Sequence, residues 1–357
     1  MDGENTKMGY AFLGKGTGLL VSELCFGLMT LSTDGKGPWG LPAADQETSF
    51  RLLDSFVAAG GNFLDTADVY GSSEEVLGRW LTREGNERRR NLVVATKVRG
   101  KTGPGVNDVG LSRRHIVDSL ERSLERLGCT SHIDLLQIHS PDPRTPLLET
   151  LRTLNDLVRS GKVHHIGLSN YPAWMVEKAI GLTERMGWEP IVSLQPQYSM
   201  LCRSTEWDII PLALEEGLAV LPWSPLKGGW LAGKRDLTRE GPSAGSRVEW
   251  AQNAGWVEGN FDSFNTPYTW HVLDTVADVA AKTNKTSAQV SLRWLLQKPG
   301  VTSVLVGART EEQLRDNLGA VGWRLEKHHM DALDNVSEHP PLYPWQPIHD
   351  RAPPQLS

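Results

Sequence analysis

Hydrophobic positions along this chain fall into two alternating patterns. Apolar runs of four to six residues recur, and between them apolar residues return every three or four positions. The first pattern predicts strands buried in a sheet and the second predicts amphipathic helices. The strand candidates are Leu24–Met29, Asn62–Asp65, Leu92–Lys97, Ile133–Ile138, His165–Ser169, Val192–Gln195, Ala219–Trp223 and Ser303–Val306. The helix candidates are Glu47–Ala59, Ser73–Leu81, Arg113–Leu127, Leu147–Ser160, Ala173–Arg185, Glu206–Glu216, one longer region from Trp270 to Leu296, and Glu311–Leu318. Gly60-Gly61 and Gly161 supply helix ends, and Ser112 and Thr310 supply N-caps. Ahead of the alternation, Tyr10–Leu13 and Leu19–Ser22 flank Gly16-Thr17-Gly18 as a hairpin. Strand after helix without a break predicts an α/β fold, a (β/α)8 barrel. A doubly wound sheet is the alternative, but its glycine fingerprint lies between a strand and a helix. Here Gly14, Gly16 and Gly18 fall inside the hairpin.

Composition narrows the field. At 357 residues the chain is expected to be one barrel domain, with its core over about 10–340 and a tail from 341. A net charge of -6 and the lack of a basic stripe argue against nucleic acid as a partner. The short cluster Arg88–Arg90 is expected to be a solvated turn. Cys25, Cys129 and Cys202 are scattered, without zinc spacing, which fits reduced thiols in the cytoplasm. Neither a secretory leader nor a membrane span is expected. The stretch 236–268 has no clear period. As a long loop on the functional side of a barrel, it is expected near the site.

Chemistry in such a barrel gathers at the C-terminal ends of the strands. The second strand candidate ends in Asp65, with Tyr70 in the loop after it. The third ends in Lys97, and His139 follows the fourth. Each alone fits a turn or packing role, but together they converge on one rim. An ammonium beside a phenol is expected to lower the phenol's pKa, Asp65 to hold Lys97, and His139 to hydrogen-bond a reacting oxygen. A carbonyl that receives a hydride develops the charge these groups are suited to meet. A metal at Asp65 and His139 is not expected, since the lysine would repel it.

The run Leu64-Asp65-Thr66-Ala67-Asp68-Val69-Tyr70-Gly71 closely resembles the signature of the aldo-keto reductases, and the likeness extends from Leu13 to about Pro341. The resemblance implies that Asp65, Tyr70, Lys97 and His139 form the catalytic tetrad and that the hairpin closes the barrel bottom. It implies NADP(H) as cofactor and reduction of a small carbonyl compound. Ser169, Asn170 and Gln195 would then hold the nicotinamide carboxamide, although Ser169-Asn170 also fits a plain helix cap. Trp223 would stack on the ring. Gly27, Met29, Ser224, Leu226, Gly228 and Gly307 would line the cofactor's path. Arg309 at a helix N-terminus would meet the adenosine phosphate, with Gln313 and Asn317 near the adenine.

Gly228, Gly233 and Lys234 mimic a P-loop, but Arg235 stands where its hydroxyl residue belongs. Trp39, Val69, Pro141, Tyr198 and Trp230 are the expected substrate lining. Two alternatives stay open: a cofactor-binding regulatory subunit with low turnover, resembling the potassium-channel β subunits, and an unrelated barrel hydrolase or lyase. The oligomeric state is not legible.

Overall fold

The computed structural model describes residues 8–83, 86–128, 131–233, 237–257 and 259–345. Cys129, Lys234, Arg235 and the tail beyond Trp345 lie outside them. The alternating pattern becomes strands β1 (Leu24–Gly27), β2 (Phe63–Asp65), β3 (Val93–Val98), β4 (Ile133–Ile138), β5 (Val163–Ser169), β6 (Ile191–Gln195), β7 (Ala219–Val220) and β8 (Val304–Val306). These form one sheet in that order, with β8 beside β1 and every pair parallel. The ring closes between β7 and β8. A parallel bridge joins Val220 to Val301, and the amide of Leu305 donates to the carbonyl of Pro222 at 2.9 Å. The fold is a (β/α)8 barrel.

Helices α1 (Gln46–Ala58), α2 (Ser73–Thr82), α3 (Arg113–Leu127), α4 (Leu147–Arg159), α5 (Ala173–Met186) and α6 (Ile209–Glu216) follow β1 to β6 in turn. Between β7 and β8 lie α7 (Arg247–Asn253), α8 (Phe261–Phe264), α9 (Pro267–Thr283) and α10 (Ser287–Leu296). The chain then forms α11 (Glu311–Leu318) and α12 (Lys327–Val336). The caps read from the sequence are in place: Ser112 accepts from the amide of His115, and Thr310 from that of Gln313.

Four expectations change. The long region Trp270–Leu296 is two helices, broken at Asn284, whose φ is 54°, and restarted by a capping box of Thr286 and Gln289. The aperiodic stretch contains α7 and α8, too short to show a period. α12 is not among the expected helices, although Met330, Leu333 and Val336, three residues apart, give it one apolar face against the core. Arg88–Arg90 is not simply solvated: Arg88 sits over the Trp80 ring at 4.9 Å and pairs with Asp54, and Arg89 is buried against Asp134 at 2.6 Å.

The barrel interior grades from apolar to polar along the strands. Cys25, Phe63, Val93, Ala95 and Leu135 form its lower layers. The hairpin Tyr10–Phe12 and Leu20–Ser22 adds Leu13 and Val21 to the same cluster and binds through the amide of Lys15 to the carbonyl of Gly217, just ahead of β7. This closes the bottom. On β5 the inward position is Gly167, where a Cβ would lie 2.5 Å from Ser193 Oγ and 3.0 Å from Gln137 Cγ. Only glycine leaves room for the polar layer above. Among the described residues no helix is long and apolar enough to cross a membrane.

Candidate active site

Strand alternation builds the upper layer. Side chains two positions apart share a face, so the apolar interior residues Phe63, Ala95 and Leu135 are followed inward by Asp65, Lys97 and Gln137. These three meet Gln195 from β6. The Lys97 ammonium donates to Asp65 Oδ1 in a very short contact and to the Thr66 carbonyl at 3.0 Å. Asp65 Oδ2 accepts from Gln137 Nε2 at 2.8 Å and from Gln195 Nε2 at 3.0 Å. Both oxygens of this buried carboxylate are therefore engaged. Gln137 was not anticipated as a site residue, although its phase on β4 marks it as an inward polar residue above Leu135.

Burial opposes the charge on Lys97, but Asp65 and Tyr70 outweigh it and hold the ammonium above its ordinary pKa. Tyr70 lies in the loop after β2. Its backbone is fixed by its amide bonding the Ala67 carbonyl and by the Asp68 amide bonding the Lys97 carbonyl, both at 3.1 Å. Lys97 Nζ is 5.1 Å from the centre of the Tyr70 ring, and the His139 ring meets that ring edge-on at 5.7 Å. The expected lowering of the phenol's pKa does not hold. Loss of water raises it, and Lys97 pulls it back only in part. His139 is pushed down to about 3, first by burial and then by Lys97 and Arg99. The site thus holds, at neutral pH, a protonated phenol, a charged ammonium and a neutral imidazole.

These groups stand at one end of a cavity of about 340 Å³. Tyr70, His139 and Asp65 line it, with Lys97 directly behind Asp65. All thirteen residues expected on the cofactor path also line it: Gly27, Met29, Ser169, Asn170, Gln195, Trp223, Ser224, Leu226, Gly228, Gly307, Arg309, Gln313 and Asn317. Several are already tied together. Asn170 donates to the His139 carbonyl and to Ser169 Oγ and accepts from Trp223 Nε1 at 3.0 Å, which fixes the indole plane. Ser169 Oγ donates to the Gln195 carbonyl. At the far end Gln313 accepts from the Arg309 amide, and Asn317 donates to the Gly307 carbonyl.

Arg247, the first residue of α7, lines the same cavity, and nothing in the aperiodic stretch around it marks it from sequence. Its guanidinium feels both Tyr70 and Arg309, and burial holds its pKa below the usual arginine value. Arg309 donates to the Gly245 carbonyl at 3.1 Å. Among the described residues no carboxylate pairs with either guanidinium. Two cations of this kind, beside the amide end of α11, suit an extended ligand with anionic groups away from its reacting end.

The mouth of the cavity is aromatic. Trp39 and Trp256 approach at 6.0 Å, and Trp256 packs on Trp250 at 5.5 Å. Trp39 holds a left-handed φ of 55°, which is costly for a bulky residue. Of the expected substrate lining, only Trp39 faces the cavity. Tyr198 turns into the core, donating to Glu206 and meeting Trp294 edge-on. Trp230 is fully buried, stacked on Phe261, with its N–H on the Gly259 carbonyl. Both are packing residues, because each finds a partner for its polar atom inside the protein. Val69 lies against Gly100, and neither it nor Pro141 belongs to the cavity wall.

Comparison with known proteins identifies the family. The model of the Aldo/keto reductase family matches residues 23–338. The chain is 36% identical over 353 residues to the uncharacterized oxidoreductase YrpG of Bacillus subtilis (strain 168), covering 95% of this chain and 100% of that one. It is 33% identical over 343 residues to the aryl-alcohol dehydrogenase [NADP(+)] of Phanerodontia chrysosporium, covering 93% and 86%. It is 34% identical over 320 residues to a probable voltage-gated potassium channel subunit beta of Arabidopsis thaliana, covering 88% and 91%. The chain belongs to the aldo/keto reductase family.

Proposed function

We propose that the protein reduces aldehydes or ketones to alcohols, reversibly, with NADPH as cofactor and Tyr70 as proton donor. One observation carries this reading: a single cavity joins Tyr70, His139 and the Lys97–Asp65 pair to two guanidiniums and the N-terminus of α11. Family membership supports an oxidoreductase acting on carbonyl compounds, and a relative named as an NADP(+)-linked alcohol dehydrogenase favours the same reaction class. The reading takes a small carbonyl compound as the partner and the cytoplasm as the setting, with no part for nucleic acid or membrane.

When bound, the nicotinamide supplies the hydride. Ser169, Asn170 and Gln195 would hold its carboxamide, and Trp223 offers a fixed ring face. Gly27, Met29, Ser224, Leu226, Gly228 and Gly307 would line the path of the pyrophosphate. Arg309 would meet the adenosine 2′-phosphate, with Gln313 and Asn317 beside the adenine and Arg247 nearer the middle of the cavity. Tyr70 keeps its proton until the substrate oxygen gains charge, because burial holds the phenol neutral. Proton transfer leaves a phenolate, which the nearby Lys97 ammonium stabilises. Asp65 and the Thr66 carbonyl keep that ammonium in place. His139, neutral, offers one N–H to the substrate oxygen. Trp39 and Trp256 favour a flat aromatic body at the mouth, with aliphatic chains tolerated.

The β-subunit relative supports a second reading, a cofactor-binding regulatory protein of low turnover. Following NADPH absorbance with a panel of aryl and alkyl aldehydes separates the two. Steady consumption with matching alcohol formation is expected. Tight NADPH binding without consumption would favour the regulatory reading, and no binding at all would sink both.

A further inference from the structure

At the end of the barrel opposite Tyr70, three metal-ligating side chains converge. His132 immediately precedes β4, Asp134 is the second residue of β4, and His164 is the second residue of β5. Ile133 pairs with Val163, so Asp134 and His164 leave neighbouring strands on the same face. Leu135 belongs to the barrel interior, which turns Asp134 outward. His132 Nε2 lies 3.7 Å and His164 Nδ1 3.8 Å from one oxygen, Asp134 Oδ1. The two imidazoles lie face to face at 4.0 Å, and the three donor atoms are all within 4.8 Å of one another. Donors bound tetrahedrally to one zinc ion stand about 3.4 Å apart. The two contacts to Asp134 Oδ1 need to shorten by only tenths of an ångström, whereas ring rotations must bring the two imidazole donors, within 4.8 Å of each other, closer by as much as about 1.4 Å.

The surroundings favour this use. The other oxygen, Asp134 Oδ2, accepts from Arg89 Nη2 at 2.6 Å and from the Val94 amide at 2.9 Å. Such outer contacts orient a ligating carboxylate and aim its remaining oxygen. Arg89 also cancels the carboxylate's charge, so affinity must come from the imidazoles. That selects a borderline transition ion over magnesium or calcium, which want several oxygens. His164 is exposed, so an ion can enter and keep water on its open side.

We infer that His132, Asp134 and His164 bind one divalent transition ion of the zinc type, which clamps β4 to β5 at the N-terminal rim. The inference is independent of the reductase reading. Its position at the barrel bottom makes it a stabilising site, remote from the chemistry.

The test titrates untagged, metal-stripped protein with zinc chloride and, separately, with cobalt chloride and magnesium chloride. Expected are one zinc ion per chain with micromolar affinity and a visible cobalt spectrum of tetrahedral type. Thermal unfolding should rise by about 3 °C at a hundredfold excess of zinc over Kd. The double variant His132→Ala/His164→Ala should bind zinc about tenfold or more weakly, and His164→Ala alone, a surface change, should also weaken it. Absence of saturable zinc binding by the intact protein would overturn the inference. So would binding unchanged in the double variant, or magnesium binding as well as zinc.

Discussion

The Lys97–Asp65 pair offers the sharpest quantitative expectation. Both side chains are buried, at 1% and 2% exposure, and each is the other's charge partner. In Lys97→Met the cation goes and Asp65 stays, with its charge facing only the amides of Gln137 and Gln195. Removing one partner of such a pair costs about 3–5 kcal/mol. The two remaining hydrogen bonds to the carboxylate, each worth about 1.5–3 kcal/mol, hold the loss near the lower figure. The second variant, Lys97→Met/Asp65→Asn, neutralises the survivor while keeping an acceptor for the amides. It should regain at least about 1 kcal/mol over Lys97→Met alone. Urea unfolding of the wild type, both single variants and the double variant at neutral pH closes the cycle. The coupling should be about 2 kcal/mol or more. Turnover should not return in the double variant, because Tyr70 still lacks its ammonium. A coupling within about 0.5 kcal/mol of zero would refute the pairing of two buried charges.

Three further outcomes are expected. Arg309→Ala should weaken NADPH by about tenfold to a hundredfold while affecting NADH far less, measured by quenching of tryptophan fluorescence; equal losses would remove Arg309 from the 2′-phosphate. Trp39→Ala, which removes the indole but keeps a Cβ at the left-handed φ of 55°, should lower kcat/KM for aryl aldehydes about tenfold and leave a short alkyl aldehyde nearly unchanged; parallel losses on both would contradict an aromatic mouth. His139, whose folded pKa of about 3 lies below its unfolded value, binds its proton mainly in the unfolded chain between these limits. It therefore withdraws stability as pH falls from about 6.5 toward 3, by about 1.4 kcal/mol per pH unit. In urea melts His139→Gln should flatten the acid limb by that slope, and an unchanged limb would contradict the buried neutral imidazole.

What was legible in the sequence was whatever a strand's period fixes. Asp65 and Lys97 stand in phase with the apolar residues beneath them, and Gln137 could have been found by the same rule. The cofactor-path residues follow strand ends or a capped helix, so their position needed only the order of elements. Loop geometry was not legible. Tyr198 and Trp230 are aromatics just past strand ends, like Trp223, but Glu206 and Phe261 draw them into the core. Arg247 sits in a stretch with no period, and only the path of that stretch brings it to the cavity. The Tyr70 pKa went the other way because the ammonium was visible in the sequence and the lost water was not. His132, Asp134 and His164 share no metal-ligand spacing, since two strands are needed to assemble them.

Tyr70 is the proposed proton donor. Single-turnover oxidation of enzyme-bound NADPH by an aryl aldehyde, compared between the wild type and Tyr70→Phe, tests that role most directly. The chemical step should fall by about a hundredfold to ten-thousandfold, with NADPH affinity nearly unchanged. Turnover close to wild type in Tyr70→Phe would contradict the role assigned to Tyr70.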